Sequence, residues 1–148
     1  MNVIVVGVDH SPGAQAALVF AEEEARLRGA TLRAVHAWQY GYIGYTGLEG
    51  RVPSIGADID ELHSAAETAL EASVREALPD TEVAIKLHAI QGAPAAVLVE
   101  ESRDADLLVV GSRGHGGFVG LLLGSVGQQC AHHAECPVVI VHAKRASS

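Results

Sequence analysis

Short apolar runs rich in β-branched residues alternate along the chain with longer stretches in which apolar residues recur every three or four positions. That alternation marks a parallel sheet covered by helices: strands buried on both faces read as unbroken apolar runs, and the connecting helices keep one wet face. Five strands and four helices are predicted. The first strand covers about Val3–Val8 and ends at Asp9, and Ser11-Pro12 then offers an N-cap followed by a first-turn proline. A helix follows to about Arg28, with Gly29 placed to end it. Its apolar face is expected from Ala14, Ala17, Leu18, Ala21, Ala25 and Leu27, with Glu22, Glu23 and Glu24 on the solvent side.

The second strand is about Thr31–Trp38, and the residues after it, to about Gly56, are too rich in glycine for regular structure. Trp38–Gly47 holds the only tryptophan and all 3 tyrosines of a chain that is 4% aromatic. Those rings suit a lid over a ligand, a partner surface, or local packing that orders the segment itself. A helix over about 57–78 carries Ile59, Leu62, Ala65, Ala66, Ala69, Leu70, Val74 and Leu78, and Pro79 stops it. The third strand is about Glu82–Ala89. Gly92-Ala93-Pro94 opens a helix to about Ser102, and Asp106–Val110 forms a continuous buried strand. The last helix is about Val126–His133 and the last strand Pro137–His142. No internal repeat is visible, so residues 1–148 read as one doubly wound α/β domain.

Composition narrows the function. With 148 residues, 49% of them hydrophobic, a domain of this size buries roughly 68–70% of its unfolded surface and needs no staples. Cys130 and Cys136, the two cysteines, therefore need no structural role, and a reducing compartment is expected. The opening Met1–Gly7 has no basic leader or cleavage site, and no apolar run reaches the roughly 18 residues of a membrane span, so a cytoplasmic location is expected. The formal net charge of −8 argues against nucleic acid as a partner. Charge is uneven, however: residues 1–106 hold 7 basic and 17 acidic side chains, and residues 107–148 hold 3 and 1. Only the C-terminal segment favours an anion.

That segment contains the glycine-dense stretch from Gly111 to Ser125, between a buried strand and a helix. Consecutive backbone N–H groups there can cradle an anion, and the following helix adds its positive dipole end. Two common phosphate motifs are absent: there is no Gly-x4-Gly-Lys-Ser/Thr, and Gly114-x-Gly116 meets Val119 where Gly-x-Gly-x-x-Gly requires its last glycine. The spacing present, Gly111-x2-Gly114-x9-Gly124-Ser125, resembles the ATP-binding pattern of the universal stress protein family. The resemblance extends over the Val6-Gly7-Val8-Asp9 opening, the Val109–Gly114 turn, Leu123–Val126 and the closing Cys136–Val141.

The resemblance implies an adenine-nucleotide-binding α/β fold with strand order 3-2-1-4-5 and two helices on each face, usually dimeric and acting in stress physiology. Ligands of open α/β sheets bind where the winding reverses, here between the first and fourth strands, which end at Asp9 and Gly111. On the family pattern Gly111, Gly114, Gly124 and Ser125 contact ribose and phosphates. Val8 and Asp9 line the adenosine end, Val126 follows at the phosphate end, and His36 or Ala37 flanks adenine. Ser112 and Arg113 fall within the same pattern. Arg113, the only Lys or Arg of the loop, either pairs with phosphate or stays solvated. Asp9 is also the candidate for holding Mg2+ through ATP.

Each residue has a competing structural reading. The glycines suit tight turns and close helix packing, Asp9 suits a helix N-cap, and Ser125 suits a cap on the last helix. Cys130, His132, His133 and Cys136 invite a zinc reading, but adjacent histidines diverge by about 100° on a helix, so complementing the helix C-terminus fits them better. The fifth strand is an apolar edge that pairing with a second copy would cover, which makes Val138, Val139, Ile140 and Val141 the expected homodimer interface. Three functions follow. The first is an ATP-dependent regulatory module of the stress response; the second is a slow Mg-dependent ATPase or phosphoryl-transfer protein at the same site. The third, a nucleotide-free interaction protein, is disfavoured by the complete glycine spacing.

Overall fold

In the computed structural model, residues 2–39, 59–112 and 124–143 are described. The elements are β1 (Val3–Gly7), α1 (Pro12–Arg28), β2 (Thr31–Trp38), α2 (Ile59–Ala77), β3 (Ile85–Gln91), α3 (Pro94–Glu101), β4 (Leu107–Gly111), α4 (Ser125–His133) and β5 (Val138–Val141), with a 3-10 turn over Ser102–Asp104. The strands form a parallel sheet in the order β3-β2-β1-β4-β5. The winding therefore reverses between β1 and β4, which pair through Val6 and Val109. No helix among the described residues is long and apolar enough to cross a membrane.

Two apolar cores sandwich this sheet. On one face Ile4, Val6, Leu32, Ala34 and Val109 meet Ala17, Leu18 and Ala21 of α1 and Ala66, Leu70 and Val74 of α2. On the other, Val5, Val35, Leu108 and Val110 meet Val97 and Leu98 of α3 and Cys130 of α4. Helix α1 starts where it should: the Ser11 hydroxyl accepts the Ala14 N–H at 3.1 Å, Pro12 occupies the first turn, and Gly29, at φ +66°, ends it. Far from the strand ends, the Arg33 guanidinium makes two hydrogen bonds to Asp104, at 3.0 and 3.2 Å, and lies 3.5 Å from Glu101. That contact raises the Arg33 pKa and lowers that of Asp104, and it ties the end of α3 to β2.

Several boundaries depart from the sequence pattern. Leu27 is 74% exposed rather than part of the α1 face, since it stands two residues past Ala25 and so about 200° round the helix. Glu22 is no bystander: its side chain is 13% exposed and accepts the Thr81 hydroxyl at 2.8 Å. On α2 the buried stripe narrows to Ala66, Leu70 and Val74, and Ile59, Ala65 and Ala69 face solvent. β3 begins at Ile85 rather than Glu82, because the Thr81 hydroxyl, not a neighbouring strand, takes the Val83 N–H at 3.1 Å. It continues to Gln91 because β2 offers partners as far as Trp38. Ser102 leaves α3 for the 3-10 turn, where its buried hydroxyl donates to Val99 and accepts the Glu135 N–H.

Candidate functional site at the ends of β1 and β4

Beyond β1 the chain turns sharply before α1. The Val8 N–H still pairs with Val35 (2.8 Å), and then Asp9 Oδ1 accepts both the N–H and the hydroxyl of Ser11, the N–H at 3.1 Å. Asp9 is thus an Asx-type staple of the turn, whereas Ser11 is the N-cap of α1. Between them His10 has φ +66°, the sole positive φ of a non-glycine residue among the described residues. On the neighbouring strand Gly111 abuts this turn from the side. A Cβ at Gly111 would lie 2.9 Å from the Gly13 carbonyl carbon and 3.0 Å from its oxygen. The packing reading of Gly111 is therefore realised, and the close approach it permits sets β4 against the first turn of α1.

Past Gly111, Ser112 is buried; its N–H donates to Val141 (2.8 Å), and its carbonyl accepts the N–H of Gly124 at 2.6 Å. The glycine segment thus leaves and returns at one hydrogen bond. This contact fixes the start of α4 beside the ends of β1 and β4, although ten residues of sequence separate Gly124 from Arg113. Gly124 is itself the N-cap, so Ser125 is the first helical residue rather than the cap expected of it. Gly124 has no side chain to satisfy the first-turn N–H groups, and no acidic residue stands in that turn. The first turn of α4 thus has no side-chain cap from its N-cap residue, while that of α1 is capped by Ser11.

The two residues expected to flank adenine point to opposite faces of β2. Ala37 packs into the second core, which Val126 of α4 also joins. His36 turns to the α1 side, where its Nδ1–H donates to the Val8 carbonyl at 2.8 Å and its ring lies 4.6 Å, centroid to centroid, from that of His10. Val8, Asp9, Gly111, Ser112, Gly124 and Ser125 therefore meet at one end of the sheet. Arg113 and Gly114, with most of the aromatic stretch 38–47, lie outside the described residues. His10 and Gly13 are the participants that sequence reasoning missed. A residue following a strand-end aspartate carries no periodic signal, and Gly13 sits inside a good helical pattern.

The cysteine-histidine cluster is elsewhere. Cys130 is fully buried, and burial pushes its thiol up to about 11; the half-buried Cys136 is also shifted upward by desolvation. Among the described residues no three His, Cys, Asp or Glu side chains gather as metal ligands.

A doubly wound parallel sheet whose winding reverses between β1 and β4 defines a class: open α/β proteins with a crevice at the carboxyl ends of the strands. Within that class the chain belongs to the universal stress protein family, whose model matches residues 1–142. It is 37% identical over 142 residues to a universal stress protein of Mycolicibacterium smegmatis, a match that covers 93% of this chain and 45% of the relative. The chain thus spans about half the length of that relative. Among solved structures, it resembles a universal stress protein in complex with cAMP (27% identity, TM-score 0.65, 97% of this chain and 98% of that one). The universal stress protein of Archaeoglobus fulgidus in complex with dAMP is similarly close (27% identity, TM-score 0.61, 95% and 98%).

Proposed function

We propose that this chain binds an adenine nucleotide, ATP with Mg2+, at the ends of β1 and β4, and acts as a nucleotide-dependent regulatory module in the stress response. The observation that carries the reading is the Gly124 N–H to Ser112 carbonyl bond, which sets the N-terminus of α4, whose N-cap glycine offers no side-chain cap, beside the ends of β1 and β4. The adenine nucleotides held by the two solved relatives support it. On this reading the phosphates lie against the first turn of α4 at Gly124, Ser125 and Val126, with Gly111, Ser112, Arg113 and Gly114 around ribose and phosphate. Val8 and Asp9 take the adenosine end, and Ala37 flanks the base. Asp9 also faces the metal that accompanies ATP. Nucleotide binding orders the site and shifts which surface is offered to a partner. The edge of β5, where Val138, Val139, Ile140 and Val141 are each half-buried, is the homodimer interface, and the protein works in the cytoplasm.

The test is the nucleotide content of gently purified protein, released by denaturation and counted per chain, with Gly114→Ala as control. Near-stoichiometric ATP that disappears in the control is the expected result. ADP in place of ATP transfers the reading to a slow ATPase, and Arg113→Ala then stops hydrolysis while sparing binding. A protein that arrives empty and ignores added Mg-ATP overturns the nucleotide reading.

A further inference from the structure

His10 occupies a backbone conformation that glycine adopts freely and other residues adopt at a cost. A turn that needed only this geometry would be served by glycine, so the histidine side chain must contribute something that the backbone does not require. Its ring is held on two sides. Nδ1 lies 2.6 Å from the Ser73 hydroxyl of α2, and the ring packs against His36 at 4.6 Å with a 49° tilt. His36 is in turn anchored to the Val8 carbonyl at 2.8 Å; because a carbonyl only accepts, His36 Nδ1 carries the proton. The residues immediately before and after Asp9 are therefore both restrained by this one pair. Asp9 itself is held by Ser11. Ser73 belongs to the same interhelical joint, since its carbonyl accepts the Gln15 side chain of α1 at 3.4 Å.

We infer that the His10–His36 pair, braced by Ser73, holds the Val8–Ser11 turn in the one conformation that presents Asp9 to the nucleoside portion of the ligand. His10 is thus a positioning residue of the nucleotide site, and this rests on the nucleotide reading above. A turn already fixed before the ligand arrives spares the ligand the entropy of ordering it. Removing the ring should therefore weaken recognition of the nucleoside while leaving the phosphate cradle at α4 untouched.

His10→Gly separates this role from a merely structural one, because it relieves the left-handed backbone while deleting the ring. Thermal unfolding without ligand is expected at the same temperature as in the parent or higher. By calorimetry, the affinities for adenosine and for ATP are expected to fall by a common factor of about tenfold, and the affinity for inorganic tripolyphosphate is expected to be unchanged. His10→Asn, which tolerates the same backbone and can still reach a hydroxyl, should restore part of the loss, and Ser73→Ala should lose affinity in the same direction but less. Parental adenosine affinity in His10→Gly overturns the inference and leaves the nucleotide reading standing. An equal loss of tripolyphosphate also overturns it, since the effect is then a general loosening. A parent protein that binds neither adenosine nor ATP overturns the nucleotide reading, and the inference falls with it. Should His10→Gly not fold, Ser73→Ala and His10→Asn decide the question on the same three ligands.

Discussion

Gly7 and Gly111 end neighbouring strands, yet a methyl group added at each would meet very different obstacles. At Gly7 the nearest atom is the Leu98 Cδ1 at 2.9 Å, the tip of a side chain that can rotate away. At Gly111 it is the backbone of Gly13, at the same distance, and only a shift of α1 against β4 relieves the contact. Gly111→Ala is therefore expected to cost about 1–3 kcal/mol in urea unfolding, more than Gly7→Ala, and to weaken nucleotide binding through the displaced Asp9 turn. Cys130 offers a pH-dependent counterpart. Its folded-state pKa is raised by burial to about 11 from an ordinary 9.0, so the unfolded chain loses the proton first. Stability should hold below about pH 9 and decline as pH rises toward about 11. At pH 8 a thiol reagent should leave Cys130 unmodified in the folded protein and label it once denaturant is added.

At the scale of elements, the strand edges and helix ends decide what the molecule offers to others. The Pro137 and Val141 carbonyls point to β4, accepting from Leu108 and Ser112. Because backbone polar groups alternate along a strand, those of Val138 and Ile140 point to the free edge. Val138→Pro removes an edge N–H without touching the β4–β5 ladder, and proline is tolerated on edges for that reason. Analytical ultracentrifugation is expected to show the parent as a dimer and Val138→Pro as a folded monomer; a parent that sediments as a monomer rules out the β5 interface. Helix ends show the limits of local pattern. Ser11-Pro12 and Gly29 define α1 in the sequence as well as in space. Ser125, an equally good cap by type, becomes the first helical residue, because the Gly124 N–H is engaged by Ser112 and so fixes the N-cap one residue earlier.

For the whole molecule, the sequence by itself determined the kinds of element and their order along the chain. Burial on one or both faces of an element leaves its period in that element's own residues, which is why Thr31–Trp38 is read to the residue and why Leu107–Val110 stands out as continuous core, although Asp106, expected in that strand, is exposed ahead of it. The glycine spacing carried the family. Contacts between residues far apart in the chain leave no such trace. The pairing of Arg33 with Asp104 spans 71 positions and that of His10 with Ser73 spans 63, and nothing in either neighbourhood announces the partner. Glu22 left its expected solvent role for the same reason, since Thr81, 59 positions away, gave it a bond, whereas helical phase alone exposes Leu27. Only the tertiary structure decided that Gly111 is small because Gly13 lies against it, that His10 and His36 meet beside Asp9, and that α4 begins within one hydrogen bond of Ser112. Periodicity reports how each segment meets the core, and chain packing alone settles which segments meet one another.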